Sequence, residues 1–268
     1  MRHVRFPVAA VVLCALLAHP AGAQPAPNAA QLGVGIDVSP TKIDLDMPAS
    51  TLYTMPMTVS NPGGVPMHIV VTPQDFRLSA TGEYSFLSPG SLPYSLMKFV
   101  RVSPREFDVP PNTTQQIRVT FAMPASASGE YGGVMLFQTK SDRKARMAVQ
   151  LGARIAAKFY CVIRNSAVKT GKVTSVVTSR QSAGEQYQIT FRDSGNTHLY
   201  LKGYVEVRHD GQTVERLTMP ADMLVERGTD RLITVSGKRL PPGRYQAVAA
   251  VDFGGARFSG GVVDFTAQ

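Results

Sequence analysis

The segment "GEYGGVMLF" (residues 129–137) has a similar second copy in the chain, "GRYQAVAAV" (residues 243–251). Each copy begins with glycine, a charged residue and tyrosine, and continues with the small and apolar residues of a buried strand. In immunoglobulin-like sandwiches, a tyrosine at the corner before a late strand bonds its hydroxyl to nearby backbone. Tyr131 and Tyr245 are candidates for two such corners, and simple packing in a core is the alternative role for both.

The residues that precede the two copies also recur in the same order. "VPPNTTQQIRV" (109–119) resembles "VERGTDRLITV" (225–235), and matched positions such as Ile117 and Ile233 lie 116 residues apart. Short segments rich in Val, Ile, Thr and Tyr alternate with turn residues, which is typical of β-sandwiches. The sequence therefore predicts an all-β protein with two immunoglobulin-like β-sandwich domains in tandem.

The amino terminus has the features of a cleaved secretory signal peptide. Arg2 and Arg5 precede an apolar run at 8–18, which is shorter than the ~20 residues that a membrane-spanning helix needs. The sequence "AGAQ" then offers a cleavage site after Ala23, which predicts a periplasmic protein with no stable membrane insertion. The predicted divisions are a signal peptide (1–23), a flexible lead-in (24–34), a first domain (35–165) and a second domain (166–268).

Charge and cysteine content narrow the function classes. The chain has 28 Lys and Arg against 19 Asp and Glu, a net charge of +9, and loss of Arg2 and Arg5 with the leader lowers it to +7. Nucleic-acid binding is not expected, because the basic residues are scattered and not interleaved with aromatic residues. Loss of the leader also leaves Cys161 as the one cysteine, so it cannot form an internal disulfide and is expected to be a buried thiol.

The sequence contains no pattern that predicts catalysis or metal binding. The histidines beyond the leader are His68, His198 and His209, and their spacing is unlike that of zinc ligands. Nucleophile-elbow, phosphate-loop and dinucleotide-binding glycine patterns are absent. We therefore expect a protein that is not an enzyme and that uses no cofactor and no metal.

The segment "MAVQLGARIAAKFYCVI" (147–163) is the strongest indication of a binding site. Its apolar residues fall at every second position, so one row of side chains lies on one face of a long strand. In one interpretation this strand closes the first sandwich. In the other, its first part is an open edge that pairs with a partner's strand, and backbone hydrogen bonds and alternate side chains give the affinity. The predicted binding residues are Met147, Val149, Leu151, Ala153 and Ile155.

The first domain resembles the periplasmic pilus-assembly chaperones of the PapD-like family. The supporting segments are "VSPTKIDL" (38–45), "VSNPGGVPMHI" (59–69), "RVSPREFDVPPNTTQQIRV" (101–119) and "ARIAAKFY" (153–160). The resemblance is thinner over the second domain, and departures at the basic residues described in the next paragraph imply a divergent member. It also implies exported protein subunits as partners and admits an outer-membrane usher.

The resemblance further implies two basic residues that anchor the subunit's terminal carboxylate in the cleft between the domains. Lys42 matches the basic residue of the first strand. The family's lysine on the last strand has no direct counterpart, because Ala156 stands at the aligned position. Arg154 and Lys158 are the two candidates for that second role, and both lie on the same face of the strand.

The sequence thus predicts a periplasmic chaperone that binds fimbrial subunits by β-strand addition through the last strand of its first domain. The alternative is a structural or adhesion module of the cell envelope that binds a surface protein or polymer. The lack of Trp weighs against a sugar-binding platform.

Overall fold

The computed structural model describes residues 35–140 and 152–268. Within these ranges the chain forms strands and one short 3-10 helix, which confirms the predicted all-β class. No helix in this part of the chain is long and apolar enough to cross a membrane. The predicted cleavage site after Ala23, and Met147, Val149 and Leu151 of the predicted binding strand, lie outside the described residues.

In the described residues, the first sandwich contains ten strands. They are β1 (Asp37–Ser39), β2 (Lys42–Met47), β3 (Leu52–Asn61), β4 (Met67–Leu78), β5 (Tyr84–Leu87), β6 (Val100–Ser103), β7 (Glu106–Val109), β8 (Thr113–Ala122), β9 (Glu130–Lys140) and β10 (Arg154–Ile163), with the 3-10 helix at Leu96–Phe99. One sheet has the order β1-β3-β8-β6. The other has the order β2-β10-β9-β4-β5, and β7 also pairs with β4.

Period-two alternation explains how these strands build a core. Along β8, the side chains of Ile117, Val119 and Phe121 are buried, and the intervening Gln116, Arg118 and Thr120 are not. Inward-facing side chains of the facing sheet, including Phe137 and Phe159, complete the same apolar cluster. Burial of one such large side chain contributes about 1.5–3 kcal/mol.

The second sandwich contains eight strands. They are β11 (Gly171–Gln181), β12 (Gly184–Asp193), β13 (Leu199–His209), β14 (Gln212–Thr218), β15 (Met223–Val225), β16 (Asp230–Ser236), β17 (Gly243–Asp252) and β18 (Ser259–Ala267). The sheets have the orders β11-β12-β16 and β14-β13-β17-β18, with β15 pairing with β13. A second apolar cluster, which includes Tyr187, Ile189 and Phe191, fills the space between them.

The two similar segments found in the sequence form strands at equivalent positions of the two sandwiches. "GEYGGVMLF" enters β9, which lies between β10 and β4, and "GRYQAVAAV" forms most of β17, which lies between β13 and β18. The Tyr245 hydroxyl donates to the carbonyl of Pro241 at 3.0 Å, as a tyrosine corner requires. Tyr131 instead packs edge-to-face on Phe99, with ring centroids 5.7 Å apart.

Candidate functional site

Strand β10 has one side that is only partly covered. Residues 154–162 pair with β9 in antiparallel fashion, but β2 covers the opposite side only from Lys158 to Ile163, in parallel. The last bond of this cover runs from the Lys158 amide to the carbonyl of Thr41, at 2.9 Å. Within the described ranges, no strand pairs with the other side of residues 154–157. We call these four residues the open flank.

The open flank has an apolar face and a polar face. Ala157 is buried and Ile155 is half-buried against the core of the first sandwich. Ala153, just before the strand, is also half-buried against this core. Arg154 and Ala156 are exposed on the opposite face. The described half of the predicted binding strand therefore has the predicted alternation, with its apolar side chains at the margin of a core.

Lys42 and Lys158 lie side by side where the open flank ends. They are register partners in the β2–β10 ladder, which places their Cα atoms about 4.8 Å apart. The Lys42 ammonium donates to the Tyr200 hydroxyl at 2.6 Å, and the Lys158 ammonium donates to the Tyr84 hydroxyl at 2.9 Å. The bond to Tyr200 is the main cause of a raised pKa at Lys42, so this group is fully charged at neutral pH. We call these two residues the lysine pair.

Arg154 is separate from the lysine pair. It lies four residues before Lys158 on β10, which is about 13 Å along an extended strand. Its guanidinium carbon lies over the ring of Phe86, 5.7 Å from the centroid. Of the two candidates for the second basic residue, the structure brings Lys158, and not Arg154, next to Lys42.

The hairpin of β4 and β5 covers the outer face of β9 and β10. Phe76 of β4 joins a small cluster of buried side chains that belong to this face, namely Val134, Leu136 and Tyr160. Tyr84 and Phe86 of β5 are each 43% exposed and lie next to Lys158 and Arg154. The open flank therefore has aromatic rings and cations along one side.

The two domains meet in a cleft beside β2. Its cavity has a volume of about 570 Å³, and its walls include Asp44, Tyr160, His198, Tyr200, Lys202 and Asp252. The His198 ring lies between those of Tyr160 and Tyr200, at centroid distances of 4.4 Å and 5.2 Å. The lysine pair therefore lies beside a cavity formed by both domains. Among the described residues, no group of three His, Cys, Asp or Glu side chains is placed to hold a metal ion.

A buried polar cluster joins the domains behind the cleft. The Glu130 carboxylate of the first domain accepts hydrogen bonds from the Thr197 hydroxyl at 2.8 Å and from His198 Nδ1 at 2.6 Å in the second domain. Arg227 of the second domain donates to the Glu130 carbonyl at 2.7 Å and lies over the ring of Tyr94. Glu130 is 3% exposed, so these contacts are shielded from water and fix the angle between the domains.

A second buried carboxyl, from the second domain, accepts a hydrogen bond from the first domain. Glu226 of the second domain accepts from the Leu78 amide of the first domain at 3.1 Å. Burial is the main cause of a raised pKa of about 7 at Glu226, and the nearby Glu130 raises it further. Burial also raises the pKa of Asp193 to about 6. The interface therefore contains carboxyl groups that resist ionisation.

The tip of the β4–β5 hairpin makes a third contact between the domains. The Leu232 amide of β16 donates to the carbonyl of Ala80 at 2.8 Å, and Arg231 Nη1 donates to the same oxygen at 3.2 Å. Gly82 has a φ of +101°, and a Cβ there would meet the Arg231 guanidinium at 2.5 Å. No local sequence pattern predicts these contacts between the domains, because the partners are 67 to 152 residues apart.

Comparisons with known proteins place the fold. No protein-family model matches the chain, and no curated protein matches it in sequence. The crystal structure of the class 5 fimbriae chaperone CfaA matches with a TM-score of 0.51 and 11% identity, over 87% of this chain and 99% of that one. A structure of a chaperone–tip adhesin complex of CFA/I fimbriae biogenesis matches with a TM-score of 0.51 and 12% identity, over 82% and 94%. The chain therefore has the two-domain β-sandwich fold of a fimbrial chaperone, which confirms the predicted fold.

Proposed function

We propose that this protein is a periplasmic chaperone that binds exported, fimbrial-type subunits by β-strand addition at the open flank. The observation that carries the proposal is the position of the lysine pair, which lies where β2 takes over the cover of β10. A strand that enters beside residues 154–157 is stopped by β2 at that point. The described chaperone structures with this fold, one of them with a tip adhesin, support the same function.

The geometry sets the direction of the bound strand. β10 runs from the open flank toward Lys158. A subunit strand whose carboxyl terminus reaches the lysine pair therefore runs parallel to β10. Its terminal carboxylate would accept charge-assisted hydrogen bonds from two ammonium groups that tyrosine hydroxyls already hold in place. Such bonds contribute about 1.5–3 kcal/mol each when they are shielded from water.

The apolar face supplies the rest of the affinity. Subunit side chains on the inner face would extend the row of Ile155 and Ala157 and cover the margin of the core. Backbone hydrogen bonds to residues 154–157 would continue the sheet by one strand. The function is therefore binding without chemistry, and an outer-membrane usher is the acceptor expected to receive the subunit.

A synthetic peptide tests this proposal directly. The probe is a 15-residue peptide with apolar residues at alternate positions and a free terminal carboxylate, and the readout is amide hydrogen exchange. We expect its binding to slow exchange at residues 154–157. Amidation of its terminus, or Lys158→Met, should weaken binding about 10-fold, since each removes a charged hydrogen bond of ~1.4 kcal/mol or more.

Matched measurements make the outcome decisive. Lys172→Met removes a lysine of β11 in the second domain and should leave the affinity unchanged. Protection at another sheet edge, such as β14, with unchanged exchange at the open flank would contradict the proposal.

A further inference from the structure

We infer that Arg154, whose guanidinium lies over the ring of Phe86, recognises an acidic side chain two residues before the carboxyl terminus of the bound subunit strand. The inference rests on the proposed function and adds a chemical preference to it. It assigns the lysine pair to the terminal carboxylate and Arg154 to a second, separate anion on the same strand.

The register of a parallel strand fixes the position. Paired residues of neighbouring strands project their side chains on the same face of a sheet. Lys158, Ala156 and Arg154 share the outer face of β10. Lys42 of β2 is already the register partner of Lys158, and the Lys158 amide bonds to the Thr41 carbonyl. The terminal residue of the subunit therefore lies beside Ala156, with its carboxylate toward the lysine pair, and the residue two positions earlier lies beside Arg154.

The surroundings of Arg154 suit recognition of a carboxylate. The Phe86 ring lies 5.7 Å from the guanidinium carbon and restricts the positions of the side chain. The guanidinium can still donate two parallel hydrogen bonds to a carboxylate. Its register partner on β9 is Gln138, which is neutral and exposed. In the described part of the chain Arg154 belongs to no ion pair, whereas Lys42, Lys140 and Arg164 each have an acidic neighbour.

The neighbouring positions of the outer face differ from Arg154. Ala156 is small and uncharged, so a subunit residue beside it meets no cation that is fixed by a ring. Lys158 is occupied by the Tyr84 hydroxyl and by the terminal carboxylate. The preference for an acid should therefore be confined to one position of the bound strand, which separates it from a general attraction between the basic protein and acidic peptides.

Four peptides that differ at single positions test the inference. All have the alternating pattern and the free terminal carboxylate, and three of them carry Glu, Gln or Lys two residues before the end. The fourth carries Glu four residues before the end and Gln two residues before it. Fluorescence anisotropy with the full mature chain should give about 10-fold tighter binding for Glu than for Gln two residues before the end, and no gain for Glu four residues before it.

Variants of the protein show whether Arg154 is the cause. Arg154→Gln should abolish the preference for Glu, and Arg154→Lys should retain part of it, because lysine keeps the charge but loses the planar fork. Phe86→Leu should reduce the preference, because it removes the ring that orients the guanidinium. Exchange protection at residues 154–157 should remain in all three variants.

Each contrary result has its own meaning. An undiminished preference for Glu in Arg154→Gln, or an equal preference four residues before the end, would overturn the inference and leave the proposed function intact. If none of the peptides protects the open flank, the proposed function fails, and the inference fails with it.

Discussion

At the scale of single residues, Glu226 should make stability depend on pH. Its folded pKa of about 7 lies above the ordinary 4.5, so the folded protein keeps a proton that the unfolded chain releases. This contribution of Glu226 to the free energy of unfolding is fully present below about pH 4.5 and is lost as the pH rises through 7. The loss is at most about 3 kcal/mol.

The variant Glu226→Gln isolates this contribution. The amide keeps an oxygen for the Leu78 amide but cannot ionise, so we expect a smaller loss of stability between pH 5 and 8 than in the wild type. Urea unfolding at several pH values measures the difference, and Glu83→Gln, at an exposed carboxylate of the first domain, is the matched control. Equal slopes for wild type and Glu226→Gln would contradict the expectation. The pKa of Asp193 is also raised, and its contribution to the pH dependence is the same in the wild type and in Glu226→Gln.

The sequence predicts which face of a strand a residue lies on, because this depends on the alternation within that strand. It does not predict which residues lie side by side on neighbouring strands, because this depends on the register between the strands. The alternation of β10 correctly predicts that Ala153 and Ile155 pack toward the core and that Arg154 and Lys158 share the other face. It cannot choose between Arg154 and Lys158, because a period of two treats them alike. The choice comes from the register with β2, which begins at Lys42 and therefore meets Lys158.

At the scale of elements, the open flank should be sensitive to charge on its apolar face. Ile155→Glu would place a carboxylate in the row that a partner strand must cover, at a cost of several-fold to 100-fold in peptide affinity. Ile155 is only half-buried, so the protein should still fold. Val177→Glu, on the exposed face of β11, is the matched control and should bind the peptide normally. Anisotropy titrations compare the two, and equal affinities would argue against pairing at this edge.

Turn chemistry predicts one hairpin closely. Asp210 and Gly211 have φ angles of +49° and +76°, as the Asp-Gly pair between β13 and β14 predicts. The β4–β5 hairpin is harder to predict, because its position depends on Phe76 packing onto Tyr160 of a strand far along the chain. The aromatic rings beside Arg154 and Lys158 therefore could not be predicted from the sequence of β10.

At the scale of the whole molecule, Glu130 should couple the unfolding of the two domains. Glu130→Ala leaves the Thr197 hydroxyl and the His198 ring without their acceptor, at a cost of about 3 kcal/mol. We expect calorimetry to show one transition for the wild type and two for the variant. Glu106→Ala removes an exposed carboxylate of the first domain and should leave the stability nearly unchanged, with one transition. A single transition in Glu130→Ala would show that other contacts, such as Leu232 to Ala80, suffice.

The repeat predicts two sandwiches but not how they are joined. Each domain has its own apolar cluster, and these clusters follow from local alternation. The joint is made instead of buried carboxyl, histidine and backbone groups from distant parts of the chain. Such groups look like ordinary surface residues in the sequence, so the cleft between the domains is visible only in three dimensions.

Cys161 is a natural probe of strand opening. Its thiol is fully buried in the core of the first domain on β10, and burial raises its pKa to about 12. Alkylating reagents therefore reach a reactive thiolate only in moments when this strand detaches. The rate of alkylation of the sulfur therefore reports how often β10 detaches. A subunit strand bound at the open flank would lower that rate, so the native cysteine can report binding without an engineered label.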